Sequence, residues 1–265
     1  MKKRAVVIFL CLVCFLCGCK KSLTDSNSSN SSSSAAVESD YVGSNDLEVE
    51  NYFSAYYETH MEVYEDVDEA KNIEITIQHP VITGLRETSL QDSINSLIRE
   101  AALSPYYEFI DIYDGFSENT EWPVECEIMY ASDDVISVEF AGYIYTRGTS
   151  HGTYKIYTVN VNMNTGEKIT TNELFDITFQ EKIKSRYFKG IDYDTTKADK
   201  DTLDSVFSEY KKDFENSSDN FYFTKDHFII ILPINGCYRF SSEYESLKDS
   251  MKSESVIWKC ILVDD

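Results

Sequence analysis

The chain has 265 residues, 42% of them hydrophobic and 26% charged, which is enough apolar sequence for one large domain or two small ones. Its 46 Asp and Glu outnumber 24 Lys and Arg, for a formal charge of −22 at pH 7. That field repels nucleic acid and anionic wall polymers, so a charged partner is expected to be basic, while the same acidity also keeps an exported chain soluble.

The first segment reads as an export signal. Lys2, Lys3 and Arg4 precede an apolar run from Ala5 to Leu16, too short to span a bilayer as a lasting helix. The run ends Leu16-Cys17-Gly18-Cys19, which resembles the lipobox of bacterial lipoproteins. The resemblance implies cleavage before Cys19 and acylation of that cysteine, hence a chain held outside the cytoplasm on membrane lipid. Each buried methylene adds about 0.8 kcal/mol, so two or three acyl chains hold stably. Residues 1–18 carry three of the 24 basic residues and none of the 46 acidic ones, so their removal leaves a formal charge of −25. From Ser22 to Ser34 eight of thirteen residues are serine, and residues 19–50 read as a tether with almost nothing to bury.

The folded part begins near Ala55 to Asp66, where Tyr56, Tyr57, Val63 and Tyr64 fit a short strand or a turn of helix equally. Ile73, Ile75 and Ile77 alternate with Glu74 and Thr76, a strand with one buried face that Pro80 and Gly84 are expected to close. Thr88-Ser89-Leu90-Gln91 resembles a capping box, and Leu90, Ile94, Leu97, Ile98 and Ala101 share one face of a helix expected to stop before Pro105. Val124, Cys126, Ile128 and Tyr130 alternate with glutamates; Ser132-Asp133-Asp134 turns the chain; Ile136, Val138, Phe140 and Ile144 make a second strand. A third runs from about Thr153 to Met163 and closes on Asn164-Thr165-Gly166. These neighbours are expected to pair antiparallel.

Helical spacing returns in Phe179, Ile183 and Tyr187 and in Leu203, Val206, Phe207, Tyr210 and Phe214. Phe221 to Thr224, Phe228 to Ile234 and Val256 to Val263 read as strands, the middle one apolar enough to be central. Strands and helices in separate runs predict an α+β fold, helices packed on an antiparallel β-sheet. Of seven cysteines, Cys126, Cys237 and Cys260 lie beyond the anchor, all in strand-like surroundings. They allow one bridge and a free thiol, or three buried thiols acting as small hydrophobes.

The ordered set His79-Pro80-Val81-Ile82-Thr83-Gly84, Ile94-Asn95, Val138-Glu139-Phe140-Ala141-Gly142-Tyr143, Ser150-His151-Gly152, Val159 to Glu167, Glu173-Leu174-Phe175 and Phe221-Tyr222-Phe223-Thr224 resembles the paired DUF4163 and DUF3298 domains. Such domains occur in the extracellular part of the anti-sigma factor RsiV, where they bind lysozyme, and ahead of the catalytic domain of a peptidoglycan deacetylase. The resemblance implies a DUF4163-like part over residues 51–120, a DUF3298-like part over 121–265, and a partner that, like lysozyme, is basic.

Candidate chemistry is sparse. Asp133-Asp134 fits a turn better than a deacetylase pair, and Asp192, Asp194, Asp199 and Asp201 lack the glycine and closing glutamate of a calcium loop. His151 has no cluster with His60, His79 or His227 and fits a loop-ordering role. No nucleophile, zinc or phosphate-loop motif is present, so no metal, no cofactor and no enzymatic activity are expected. Tyr106, Tyr107, Tyr113, Tyr143, Tyr145, Tyr238 and Tyr244 fall near loop or outward positions and suit a protein or glycan surface. The expected ligand rim is Arg147 to Gly152 with Asn235 to Tyr244, above all Arg147, His151, Tyr238, Arg239 and Tyr244. Capture of a cationic protein such as lysozyme leads the functional expectations, ahead of a peptidoglycan-binding accessory module and, last, a wall-modifying enzyme.

Overall fold

The computed structural model describes residues 57–113, 115–191, 204–205, 207–208, 219–232 and 238–262, all within one compact unit. The signal, the tether, Cys19, Cys237, the aspartates from Asp192 to Asp201, the loop from Asn235 and most of the helix expected at Leu203 to Phe214 lie outside the described residues.

The fold is α+β. Strands β1 (Glu58–Asp68), β2 (Ile73–Thr83), β3 (Thr120–Ala131), β4 (Val135–Thr146) and β5 (Thr153–Asn162) form one sheet in chain order. Its pairs are antiparallel except β2 and β3, which run parallel from Glu74 beside Glu121 to Ile77 beside Val124. The exception follows from helix α1 (Thr88–Tyr113), which crosses between β2 and β3 and so returns the chain in the same direction. Ile73, Ile75, Ile77, Trp122, Val124, Val138, Phe140, Val159 and Val161 bury one sheet face against Ile94, Ile98, Ala102 and Tyr106 of α1.

Both prolines expected to end elements lie inside them. Beyond Ile77, β2 has β1 as its only strand partner among the described residues, and Pro80 sits opposite Met61 in that half-paired stretch, where a missing N–H is tolerated. Pro105 sits inside α1, where it removes one helical hydrogen bond. Burial of Leu103 and Tyr106 on either side offsets the loss, and the Tyr106 hydroxyl donates to Asp66 of β1. At the start of α1, the Gln91 side chain reaches back to the Leu85 N–H at 3.2 Å rather than closing a box on Thr88.

A second, antiparallel sheet has the order β6 (Lys189–Gly190), β9 (Tyr238–Glu243), β8 (His227–Leu232), β7 (Phe221–Phe223). β8 is central, as its apolar run suggests. One face packs Phe221, Phe223, Phe228, Ile230 and Leu232 on short helices α2 (Thr171–Leu174), α3 (Phe179–Lys182), α4 (Tyr244–Leu247) and α5 (Val256–Ile261). The other presents Tyr222, Ile229 and Ile231 to Met129 and Ile156 of the first sheet.

Two expectations fail here. Val256 to Leu262, the described part of the strand expected to reach Val263, is not a strand: Ile257, Trp258 and Ile261 are buried at helical spacing while Val256 is exposed, and the Trp258 Nε1–H donates to the Leu174 carbonyl at 2.7 Å. Cys260 therefore lies on a helix. The segment from Tyr238, expected as a loop, is strand β9 paired along β8.

Candidate functional site

Alternation sets two opposite faces on the first sheet. The face turned from α1 carries Val63, Glu65 and Val67 of β1, Glu74, Thr76 and Gln78 of β2, Glu121, Pro123, Glu125 and Glu127 of β3, and Tyr143 and Tyr145 of β4. The second sheet covers this face over β4, β5 and the end of β3 at Met129, and there the Phe223 N–H donates to Ser137 Oγ at 3.2 Å and Asn160 Nδ2 donates to the Phe221 carbonyl at 2.7 Å. Over β1 to β3 the glutamates remain exposed.

Five carboxylates, those of Glu65, Glu74, Glu121, Glu125 and Glu127, thus share one open surface, and none has an ion-pair or hydrogen-bond partner among the described residues. Glu74 lies directly beside Glu121, an arrangement that like charge disfavours in the isolated sheet and that an arriving cation would relieve. Val63 at 48% and Val67 at 56% exposure add apolar area between the charges.

A tyrosine group adjoins it. Tyr143 is paired with Tyr154 and their rings lie 4.6 Å apart; Tyr145 stands opposite Glu121, its ring nearly parallel to that of Tyr143 at 6.4 Å. The group is fixed by the hairpin loop, because the Gly152 N–H donates to the Tyr143 hydroxyl at 2.7 Å. A Cβ on Gly152 would come within 2.6 Å of the Tyr143 ring, so this position requires glycine for lack of space rather than for backbone conformation.

The residues expected as a ligand rim are not brought together. Arg147 and His151 are exposed in the β4–β5 loop beside the tyrosines, tied down by Arg147 N–H donating to the Asn119 carbonyl at 2.9 Å and Thr149 Oγ1 donating to the Thr146 carbonyl at 2.7 Å. The His151 ring makes a 3.4 Å contact with the Gly152 carbonyl. Arg239 lies between the sheets, its guanidinium gripping the buried Glu139 carboxylate through Nε at 2.7 Å and Nη2 at 2.6 Å. Tyr238 is half-buried against the second core. Tyr244 is buried beside α5 and donates to the Thr224 carbonyl at 2.6 Å; burial pushes its hydroxyl well above the ordinary range. Glu139 is eight positions before Arg147 along β4, roughly 26 Å of extended chain at about 3.3 Å per residue. Tyr106, also expected outward, is fully buried.

Other candidates have structural roles. Ser132 Oγ accepts the Val135 N–H at 3.1 Å and Asp134 accepts Asn164 Nδ2 at 2.7 Å, so Asp133-Asp134 is a turn. Cys126 and Cys260 are free thiols, pushed up to about 12 and about 11, both first by burial; both stay protonated at neutral pH. No group of His, Cys, Asp and Glu fit to hold a metal occurs among the described residues.

Glu74, Glu125 and Glu127 were legible singly as alternating positions of β2 and β3, whereas Glu65 and Glu121 were not. The union of the five was not legible either, because it depends on the parallel pairing across α1, which has no local turn signal.

Among solved structures, a member of the DUF3298 family from Bacteroides fragilis NCTC 9343 is similar over 78% of this chain and 97% of its own, with 14% identity and a TM-score of 0.48. A DUF3298 family protein from Pseudomonas aeruginosa PAO1 is similar over 74% of this chain and 94% of its own, with 10% identity and a TM-score of 0.45. No family model and no curated protein matches the sequence.

Proposed function

We propose that this chain is a lipoprotein of the bacterial cell surface, anchored outside the cytoplasm through acylated Cys19, whose folded domain captures a cationic protein such as a lysozyme. The observation that carries the reading is the open sheet face with five carboxylates that have no counter-ion among the described residues. A basic partner would replace cross-strand repulsion with attraction and would be steered in by the field of the whole chain. The tyrosines Tyr143, Tyr145 and Tyr154 supply amphipathic contact area at the end of that face, bordered by Arg147 and His151. In this reading residues 51–120 are the DUF4163-like part and 121–265 the DUF3298-like part, and Tyr238, Arg239 and Tyr244 act by holding the second sheet. No catalytic step is assigned.

Calorimetry of the full chain in detergent against a c-type lysozyme, at low and physiological salt, tests the reading. One-to-one binding that weakens with salt is expected, and the quadruple variant Glu65→Gln, Glu74→Gln, Glu121→Gln, Glu125→Gln should bind at least about tenfold more weakly. Binding equal to that of a charge-matched acidic control protein would refute it. The tyrosine group favours a second reading, a peptidoglycan-binding accessory module, for which binding to wall glycan would be insensitive to salt and lost on replacing Tyr145 and Tyr154 by alanine.

A further inference from the structure

Strand β1 is the long free edge of the described fold. It ends the order of the first sheet, pairs with β2 through eleven consecutive positions without a bulge, and has no second strand beside it among the described residues. The other edges are short or occupied: β6 has two residues, β7 has three and bonds the side chains of Ser137 and Asn160, and β5 carries a bridge from Val161 to Lys168. Edge strands expose a row of unpaired N–H and C=O groups, and folds usually blunt them with proline, lysine or a bulge. The sequence Glu-Thr-His-Met-Glu-Val-Tyr-Glu-Asp-Val-Asp of β1 contains none of these. It is guarded instead by Glu58, Glu62, Glu65, Asp66 and Asp68, against one histidine.

That guard is selective by sign. Two copies of β1 laid edge to edge would set carboxylates against carboxylates, and cross-strand like charges disfavour the pair. An extended strand carrying Lys or Arg meets the opposite situation. We infer that the free edge of β1 accepts an extended cationic segment of the partner as a sixth strand, with main-chain hydrogen bonds supplying affinity and the β1 carboxylates supplying selectivity. The inference rests on the reading that the chain captures a cationic protein, and it specifies how the partner is held.

The probe is a synthetic peptide of alternating lysine and valine, compared with the same peptide N-methylated at alternate residues, which keeps every charge but loses the N–H groups of one edge. Both are titrated into the full chain in detergent, with amide hydrogen exchange read along β1 and β5. Strand addition predicts that the unmethylated peptide binds at least about tenfold more tightly than the methylated one, and that exchange slows in β1 and not in β5. Equal binding of the two peptides, or unchanged exchange in β1, overturns strand addition while leaving charge-driven capture standing. Failure of both peptides to bind overturns capture as well.

Discussion

His79 shows how one buried side chain ties stability to pH. It is 3% exposed on β2, and its Nδ1 has no hydrogen-bond partner among the described residues. Burial holds its pKa below the ordinary 6.5; Arg99 and His60 push the same way, while Glu62 and the Pro80 backbone oppose them. The folded state therefore keeps the ring neutral at a pH where the unfolded chain already binds a proton. The stability this ring contributes is whole above about 6.5 and is lost as pH falls from there toward the lower folded value. Urea unfolding of the native chain should show stability declining through that window, and His79→Phe should flatten the decline. An unchanged slope in the variant would show that His79 is not its source.

At the scale of elements, the two sheets are joined by the pair of Glu139 on β4 and Arg239 on β9. Side-chain exposure of 5% for Glu139 and 20% for Arg239 makes desolvation a large opposing term, so the pair is not a simple source of stability. Arg239→Met strips the carboxylate of its guanidinium and should destabilise by about 3–5 kcal/mol in denaturant unfolding, whereas Glu139→Leu with Arg239→Met should recover most of that loss. A double variant as unstable as the single one would show that the pair matters for shape rather than charge. Alternation was a sound guide wherever one face was buried, as at Ile73, Ile75 and Ile77. It misled in a short apolar segment: Val256 to Ile261, broken by Lys259 alone, fits either period, and the Trp258 bond to the Leu174 carbonyl goes with the helix. Pro80 and Pro105 misled because a proline ends an element only if its N–H was needed, which the local sequence does not record.

Across the whole molecule, the first sheet runs through the boundary expected at residue 120. β1 and β2 stand on one side of that boundary, β3 to β5 on the other, and the core under α1 draws from both. The full chain should accordingly melt in a single transition with calorimetric and van't Hoff enthalpies in agreement, and residues 121–265 alone should show no such transition. Two separate transitions in the intact chain would reveal halves that fold independently. The site was harder to read than the fold for the same reason: Glu74 and Glu121 are 47 positions apart and meet only through the crossover.

The β1–β2 hairpin has a mechanical consequence. Its turn lies between Asp68 and Ile73, so the pair of Glu58 with Thr83 stands at the open end. A load on the chain before β1 meets the buried Tyr57 and its hydroxyl bond to the Ser132 carbonyl first; once that gives, it falls on the Glu58–Thr83 pair and then on each neighbour in turn, so the ladder peels like a zipper instead of resisting in shear. Tension on the chain before β1 would loosen this strand and uncover the far half of β2 while the ladders joining β2 to β5 held, making β1 the compliant link between whatever pulls on the chain and the domain behind it.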